Sequence, residues 1–269
     1  MQQSWAEKAF FEYCYKKRKI EDIANQYCKG FETVRRNFDK LKICRDFQRT
    51  SDNHINLVFD GVYFERSLCY IVCRAESKTI YFRECPETIE NIGIMLDALE
   101  SMGYVFKSFT ADGRKGVKKY LKRRYPDVPL QHCIFHQAAA ITRYLTGSPK
   151  TECGRELKAL SEILGKTSRD DFEAEFKALK NRYADFLKER NESGQFRHRR
   201  LRSAFRSIDR NMPDLFTWKE NPELGINNTT NTCEGYFRQI KTRIRVHSGL
   251  KRERLKKVIE MLFLIQIKE

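Results

Sequence analysis

Two aspartates stand where carboxylates could work together. Asp60 closes the apolar stretch Ile55–Phe59 and precedes Gly61, and Asp112 closes Tyr104–Ala111 and precedes Gly113. If the two stretches are neighbouring strands, their carboxylates face one another at short range. Such a pair repels unless a cation lies between them, and hard oxygen ligands suit Mg²⁺ or Mn²⁺. A third acid would complete a site for two metal ions about 3.5–4 Å apart, which clamps the attacking and leaving oxygens of a phosphodiester. Glu234 is the best-placed third acid, at the head of a helix in Asn227-Asn-Thr-Thr-Asn-Thr-Cys-Glu-Gly-Tyr-Phe-Arg-Gln-Ile-Lys241. Each residue also has a plain structural reading. Aspartate before glycine forms turns, and Asn231-x-x-Glu234 is a capping box.

The elements that must position these acids are legible. Ile55–Phe64, Leu68–Arg74 and Thr79–Arg83 are short runs rich in β-branched and aromatic residues, and read as three successive strands. Residues 88–102 carry Ile89, Ile92, Leu96 and Leu99 at helical spacing and end at Gly103. Tyr104–Ala111 reads as a fourth strand, 114–124 as a basic helix and Pro129–Phe135 as a fifth strand. Three strands, then helix, strand, helix, strand, is the order of an RNase H-like α/β fold. Between about 138 and 220 only amphipathic helices are expected, and helices over 232–245 and 252–266 end the chain. Alternation places Cys69 and Cys73 on one strand face, in the core.

Ahead of the strands, a helix is expected over Trp5–Tyr15, and Ile20, Ile23, Ala24 and Tyr27 line a short second one. Gly30 suits a turn, and a helix from about Glu32 buries Val34, Phe38 and Leu41. This is a helix-turn-helix pattern that would offer Thr33, Arg35, Arg36 and Lys40 to DNA, although a plain helical hairpin has the same pattern. Residues 42–54 read as a linker. The expected organisation is a helix-turn-helix region (1–50), a first part of the core (51–137), an all-helical insertion (138–226) and a last part carrying Glu234 (227–269).

Charge narrows the partner. The 269-residue chain has 52 Lys and Arg against 36 Asp and Glu, a net charge of +16. Residues 1–50 hold 12 basic and 7 acidic residues, 190–210 hold 7 and 2, and 227–269 hold 10 and 4. The remainder is balanced, so the whole excess lies in three segments, as binding to a polyanion requires and as solvated helix faces also permit. Nine cysteines without a CxxC pair suggest free thiols in a reducing compartment. The first 20 residues are mixed and charged, and the apolar run Met261–Ile265 is too short to span a bilayer. The expectation is a protein without a membrane segment, cytoplasmic and nucleoid-associated in a prokaryote or nuclear in a eukaryote.

In these motifs the chain resembles the Mutator-like superfamily of DDE transposases, in its bacterial insertion-sequence branch. The matching residues are Asp60-Gly61, Ala111-Asp112-Gly113, Gln131-His-Cys-Ile-Phe-His136, Thr230-Asn231-x-x-Glu234-Gly235 and Lys241-x-Arg-x-Arg-x-His-x-Gly-Leu250. Glu234 lies 122 residues after Asp112, and Asp112 lies 52 after Asp60, which leaves room for the helical insertion such proteins carry. The resemblance implies that Asp60, Asp112 and Glu234 hold two Mg²⁺ (or Mn²⁺) ions. It further implies cleavage at transposon ends, strand transfer into target double-stranded DNA, and a homo-oligomer on the DNA.

Cys133 and His136 match a C/D-x-x-H motif of that superfamily. Their spacing would suit zinc if His132 and Cys153 completed the set, whereas a buried thiol beside a structural histidine needs no metal. Arg199, Arg200 and Arg202 in the insertion, and Lys241, Arg243, Arg245, His247 and Lys251–Lys257 after the glutamate helix, would suit phosphate contacts. Phe216 and Trp218 could stack on an unpaired base. Two other functions share these features: a decayed or domesticated transposase that binds DNA as a regulator, and an RNase H-like nuclease that cuts without joining.

Overall fold

The computed structural model describes residues 4–247 and 249–265, apart from the side chains of Asn231 and Thr232. It is a mixed α/β fold. Three helices, α1 (Trp5–Tyr15), α2 (Ile20–Gln26) and α3 (Phe31–Lys40), precede strands β1 (His54–Glu65), β2 (Leu68–Ala75) and β3 (Lys78–Glu84). Helix α4 (Ile89–Ser101), strand β4 (Val105–Ala111), helix α5 (Lys115–Arg124) and strand β5 (Leu130–His132) follow. The helices α6 (Ile134–Leu145), α7 (Glu152–Glu162), α8 (Arg169–Arg182), α9 (Ala184–Lys188), α10 (Arg199–Asn211) and α11 (Thr217–Glu220) come next, then α12 (Asn231–Ile244) and α13 (Arg252–Leu264).

The five strands form one sheet in the order β3-β2-β1-β4-β5. β2 and β3 are antiparallel, whereas β4 runs parallel to both β1 and β5. Every residue of β2 is buried, so it reads as a continuous apolar run rather than an alternating one. β5 is shorter than its sequence suggests. The chain turns at Cys133, whose sulfur caps α6 by accepting the His136 amide, so the expected strand through Phe135 ends at His132.

By internal contacts the chain divides into two compact units, Met1–Ser51 with Gly61–Glu87 and Thr232–Glu269, and Asp52–Asp60 with Thr88–Asn231. In the first, Phe10, Tyr13 and Phe38 pack their rings together. Arg254 binds Asp39 through two bonds of 2.8 and 2.7 Å, and Lys257 reaches the carbonyls of Phe38 and Asp39 at the negative end of α3. Residues 42–53 are not a slack linker. Arg45 pairs with Glu260 at 2.7 Å, Gln48 donates to the Leu264 carbonyl, and Ser51 binds Glu76.

In the second unit the helical insertion has its own apolar core, centred on Leu157, Phe172, Phe176, Phe205 and Phe216. A buried polar network joins it to β5 and α5. Gln131 donates to the Leu215 carbonyl at 3.0 Å and accepts the Trp218 amide, and Thr217 donates to the Leu130 carbonyl. Asn211 donates to Gln137, and Lys118 to Asn211. Asp214, 5% exposed, accepts both Lys118 at 2.5 Å and Lys122 at 2.6 Å. Phe216 is fully buried against Phe172, which removes it as a base-stacking group.

The Lys118 side chain is 13% exposed and that of Lys122 is 52% exposed, so the two bonds to Asp214 differ in worth. Asp214→Ala strands a nearly buried ammonium and is expected to lower stability by about 3–5 kcal/mol in urea unfolding. Lys122→Ala is expected to lower it by less than about 1 kcal/mol.

Candidate metal centre

Asp60 sits inside a strand, not at a turn. β1 continues through Gly61 to Glu65, so the turn reading of Asp60-Gly61 does not hold. A Cβ at position 61 would lie 2.5 Å from the Glu87 carboxylate, the movable end of that side chain. Val58 pairs with Thr110 on adjacent parallel strands; Asp60 lies two residues further along within β1, and Asp112 lies just past the end of β4. Gly113 is required, because a Cβ there would lie 1.8 Å from Cε1 of His132.

The acids do not gather as the sequence suggests. One ligand atom each from Asp60, His136 and Glu234 lie within 4.8 Å of one another. This group could hold a metal ion. Asp60 is buried, and His136 and Glu234 are half-buried. Asp112 is not part of it. Its carboxylate takes the Arg114 guanidinium at 2.9 Å and the Arg114 amide at 3.3 Å. A histidine from the head of α6 therefore stands in the group where a second aspartate was expected. The signal for it was the Cys133-x-x-His136 spacing, read above as auxiliary.

Residues 224–230 bring the head of α12 to its place. The Asn56 amide donates to the carbonyls of Leu224 and Gly225 at 2.6 and 3.2 Å, and Ser108 buttresses Asn56 at 2.8 Å. Thr110 donates to the Asn227 carbonyl at 2.7 Å, and the Ile134 amide to that of Asn228 at 3.1 Å. The segment ends at Thr230, whose amide donates to the Cys133 sulfur at 3.2 Å while its hydroxyl lies 3.3 Å from Nδ1 of His136. Helix α12 starts at the next residue and carries Glu234 in its first turn. The capping-box reading of Asn231 lies outside the described side chains.

Cys133 thus has a structural task. It is fully buried, and its sulfur accepts two backbone N–H groups. Burial pushes its thiol up, but the hydrogen bonds from His136 and Thr230 outweigh that and hold it below the ordinary thiol value. His132 is also buried, with neither ring nitrogen hydrogen-bonded. Burial first, then the charges of Lys118 and His136, lower its pKa to about 3, so it stays neutral. Cys153 belongs to the insertion core, and the described residues place neither it, Cys133 nor His132 in a metal-ligating group. The zinc set does not form.

The expected DNA-facing residues divide. Thr33, Arg36 and Lys40 are exposed on α3, and Arg35 is half-buried beside Glu32 at 3.0 Å. Arg199, Arg200 and Arg245 are exposed, and Lys241 is half-buried. Arg202 instead donates to the Leu187 carbonyl at 2.7 Å and lies 3.6 Å over the Phe196 ring. His247 is buried and stacked on Tyr13 at 4.0 Å, and Arg243 lies 5.5 Å over Tyr15. Arg252, Arg254, Lys256 and Lys257 bind Ser67, Asp39, Glu84 and the end of α3. Arg202, His247 and most of the 251–257 run therefore serve internal contacts. No helix among the described residues is long and apolar enough to cross a membrane.

Two substitutions test these supports. Cys133→Ala leaves two buried amides without their acceptor and is expected to lower stability by about 2–4 kcal/mol in urea unfolding. Gly113→Ala drives a methyl into the His132 ring. It is expected to be strongly destabilising alone and largely rescued by His132→Ala in a double-mutant cycle, where simple additivity would refute the contact.

No protein-family model matches the chain, and no curated protein matches it either.

Proposed function

We propose that this chain is a DDE-type transposase that cuts DNA at the ends of a mobile element and joins those ends to target DNA, on an RNase H-like fold. The observation that carries the proposal is the convergence of Asp60, His136 and Glu234 ligand atoms within 4.8 Å. The sheet order β3-β2-β1-β4-β5, with a helical block between β5 and the helix of Glu234, supports the same reading. So do the sequence motifs around both aspartates and the glutamate.

The residues fit a divalent cation. Oxygen and nitrogen ligands at about 2.0–2.2 Å from one ion lie at most about 4.4 Å apart, so shifts of a few tenths of an ångström close the set around it. A cation held there would polarise the scissile phosphodiester and acidify the attacking water or 3′-hydroxyl. Asp60 and Glu234 supply the negative charge. Thr230, bonded to Nδ1, orients His136 to offer Nε2. A mixed nitrogen and oxygen set favours Mn²⁺ over Mg²⁺. Asp112 pairs with Arg114, and that pair, partly exposed, is by itself worth only about 1 kcal/mol.

The Asp112–Arg114 pair also favours one rival, a DNA-binding regulator that has lost catalysis, because it occupies the second aspartate. Incubating the protein with duplexes carrying the sequences that flank its gene, with Mg²⁺ or Mn²⁺, separates the readings. Joined product is the expected result. Cleavage alone identifies a nuclease, and binding alone a regulator. Asp60→Ala and Glu234→Ala are each expected to slow the reaction at least about 100-fold, and His136→Ala to reduce the Mn²⁺ preference. A fully active Glu234→Ala protein would remove Glu234 from the centre.

A further inference from the structure

We propose that a basic cavity in the helical insertion is a separate binding site for the phosphates of a nucleic-acid backbone. The cavity, about 520 Å³, lies between the end of α6, the start of α7 and the residues leading into α10. Lys150, Arg197, Arg199 and Arg200 line it, and no carboxylate does. All four are exposed. Arg200 donates once, to the Arg143 carbonyl, and Arg197 comes no nearer than 3.8 Å to Glu189. Four cations around one hollow repel each other, and a polyanion relieves that repulsion. Helix α10 starts here without a side-chain cap, so the positive end of its dipole adds to the same field.

The walls of the cavity are fixed by other residues. Arg190 pairs with Phe196 through a backbone bridge, and the turn between them closes at Gly194 with φ 72°. The guanidiniums of Arg190 and Arg202 lie 4.1 and 3.6 Å from the centre of the Phe196 ring. Two groups that close must occupy opposite faces, so Phe196 offers no face for stacking a base. His198 stacks on Phe186 at 3.8 Å and bonds Glu189 at 3.0 Å. Arginines at the wall thus hold the frame, and those at the mouth remain for a ligand. The occupant selected is a phosphodiester backbone read by charge, independently of base sequence.

The inference rests on the reading of this chain as a DNA-acting protein, but its test does not require cleavage. A random-sequence duplex is titrated with the full chain in EDTA over a range of salt concentrations. Replacing Lys150, Arg197 and Arg199 by Gln together is expected to lower the slope of log K against log salt by about two to three, since each phosphate contact contributes about 0.9. Arg197→Lys with Arg199→Lys keeps the charges and is expected to keep the slope. An unchanged slope in a triple variant with the parental unfolding midpoint overturns the site, as does equal competition by an oligoglutamate peptide. Failure to cut or join DNA, with the slope reduced as expected, overturns the transposase reading and leaves the phosphate site standing.

Discussion

The head of α12 is held by hydrogen bonds to residues 224–230, and the candidate metal centre depends on them. Asn56, Thr110, the Ile134 amide and the Cys133 sulfur each take one part of that segment, from Leu224 to Thr230. Each bond contributes about 1 kcal/mol net, but a buried partner left without its mate costs about 1–3 kcal/mol, so the set resists piecemeal loss. The segment therefore arrives at Thr230 in one register. The residue that orients His136 also immediately precedes the helix of Glu234, so one threonine couples the two ligands.

The same economy explains the short β5. Its last residues and the following cap are Gln131, His132 and Cys133, all buried, and none serves as an ordinary strand side chain. Gln131 binds the insertion on both its amide oxygen and nitrogen. His132 fills the space that Gly113 leaves beside Asp112. Cys133 receives Thr230 and starts α6. The insertion is thus tied to the sheet through the strand neighbouring β4, and Asp214 with its two lysines supplies the ionic part of the joint.

Much of this was readable in advance, for reasons that also mark where reading fails. Strand and helix positions follow hydrophobic period, which is local, and β1 through α5 appear within a residue or two of expectation. The end of the fifth strand follows from the Cys133 sulfur capping α6, and that same sulfur also accepts the amide of Thr230, 97 residues away; no period records either. The glycines after both aspartates suggested turns, yet position 61 lies mid-strand. Charge clusters showed sign but not partner. Arg254 and His247 looked alike as basic tail residues, whereas one is bound to Asp39 and the other is buried on Tyr13.

That distinction bears on the second aspartate. Asp112 and Arg114 flank Gly113, and the salt bridge between them is local in sequence. A largely buried carboxylate such as that of Asp112 is stabilised in its charged form by a countercharge. Arg114 supplies it from two residues away in the chain. Thr230, by contrast, lies against His136 and directly precedes the helix of Glu234. The arrangement is one group, Asp60, His136 and Glu234, that could hold a metal ion, with Asp112 outside it and paired to Arg114.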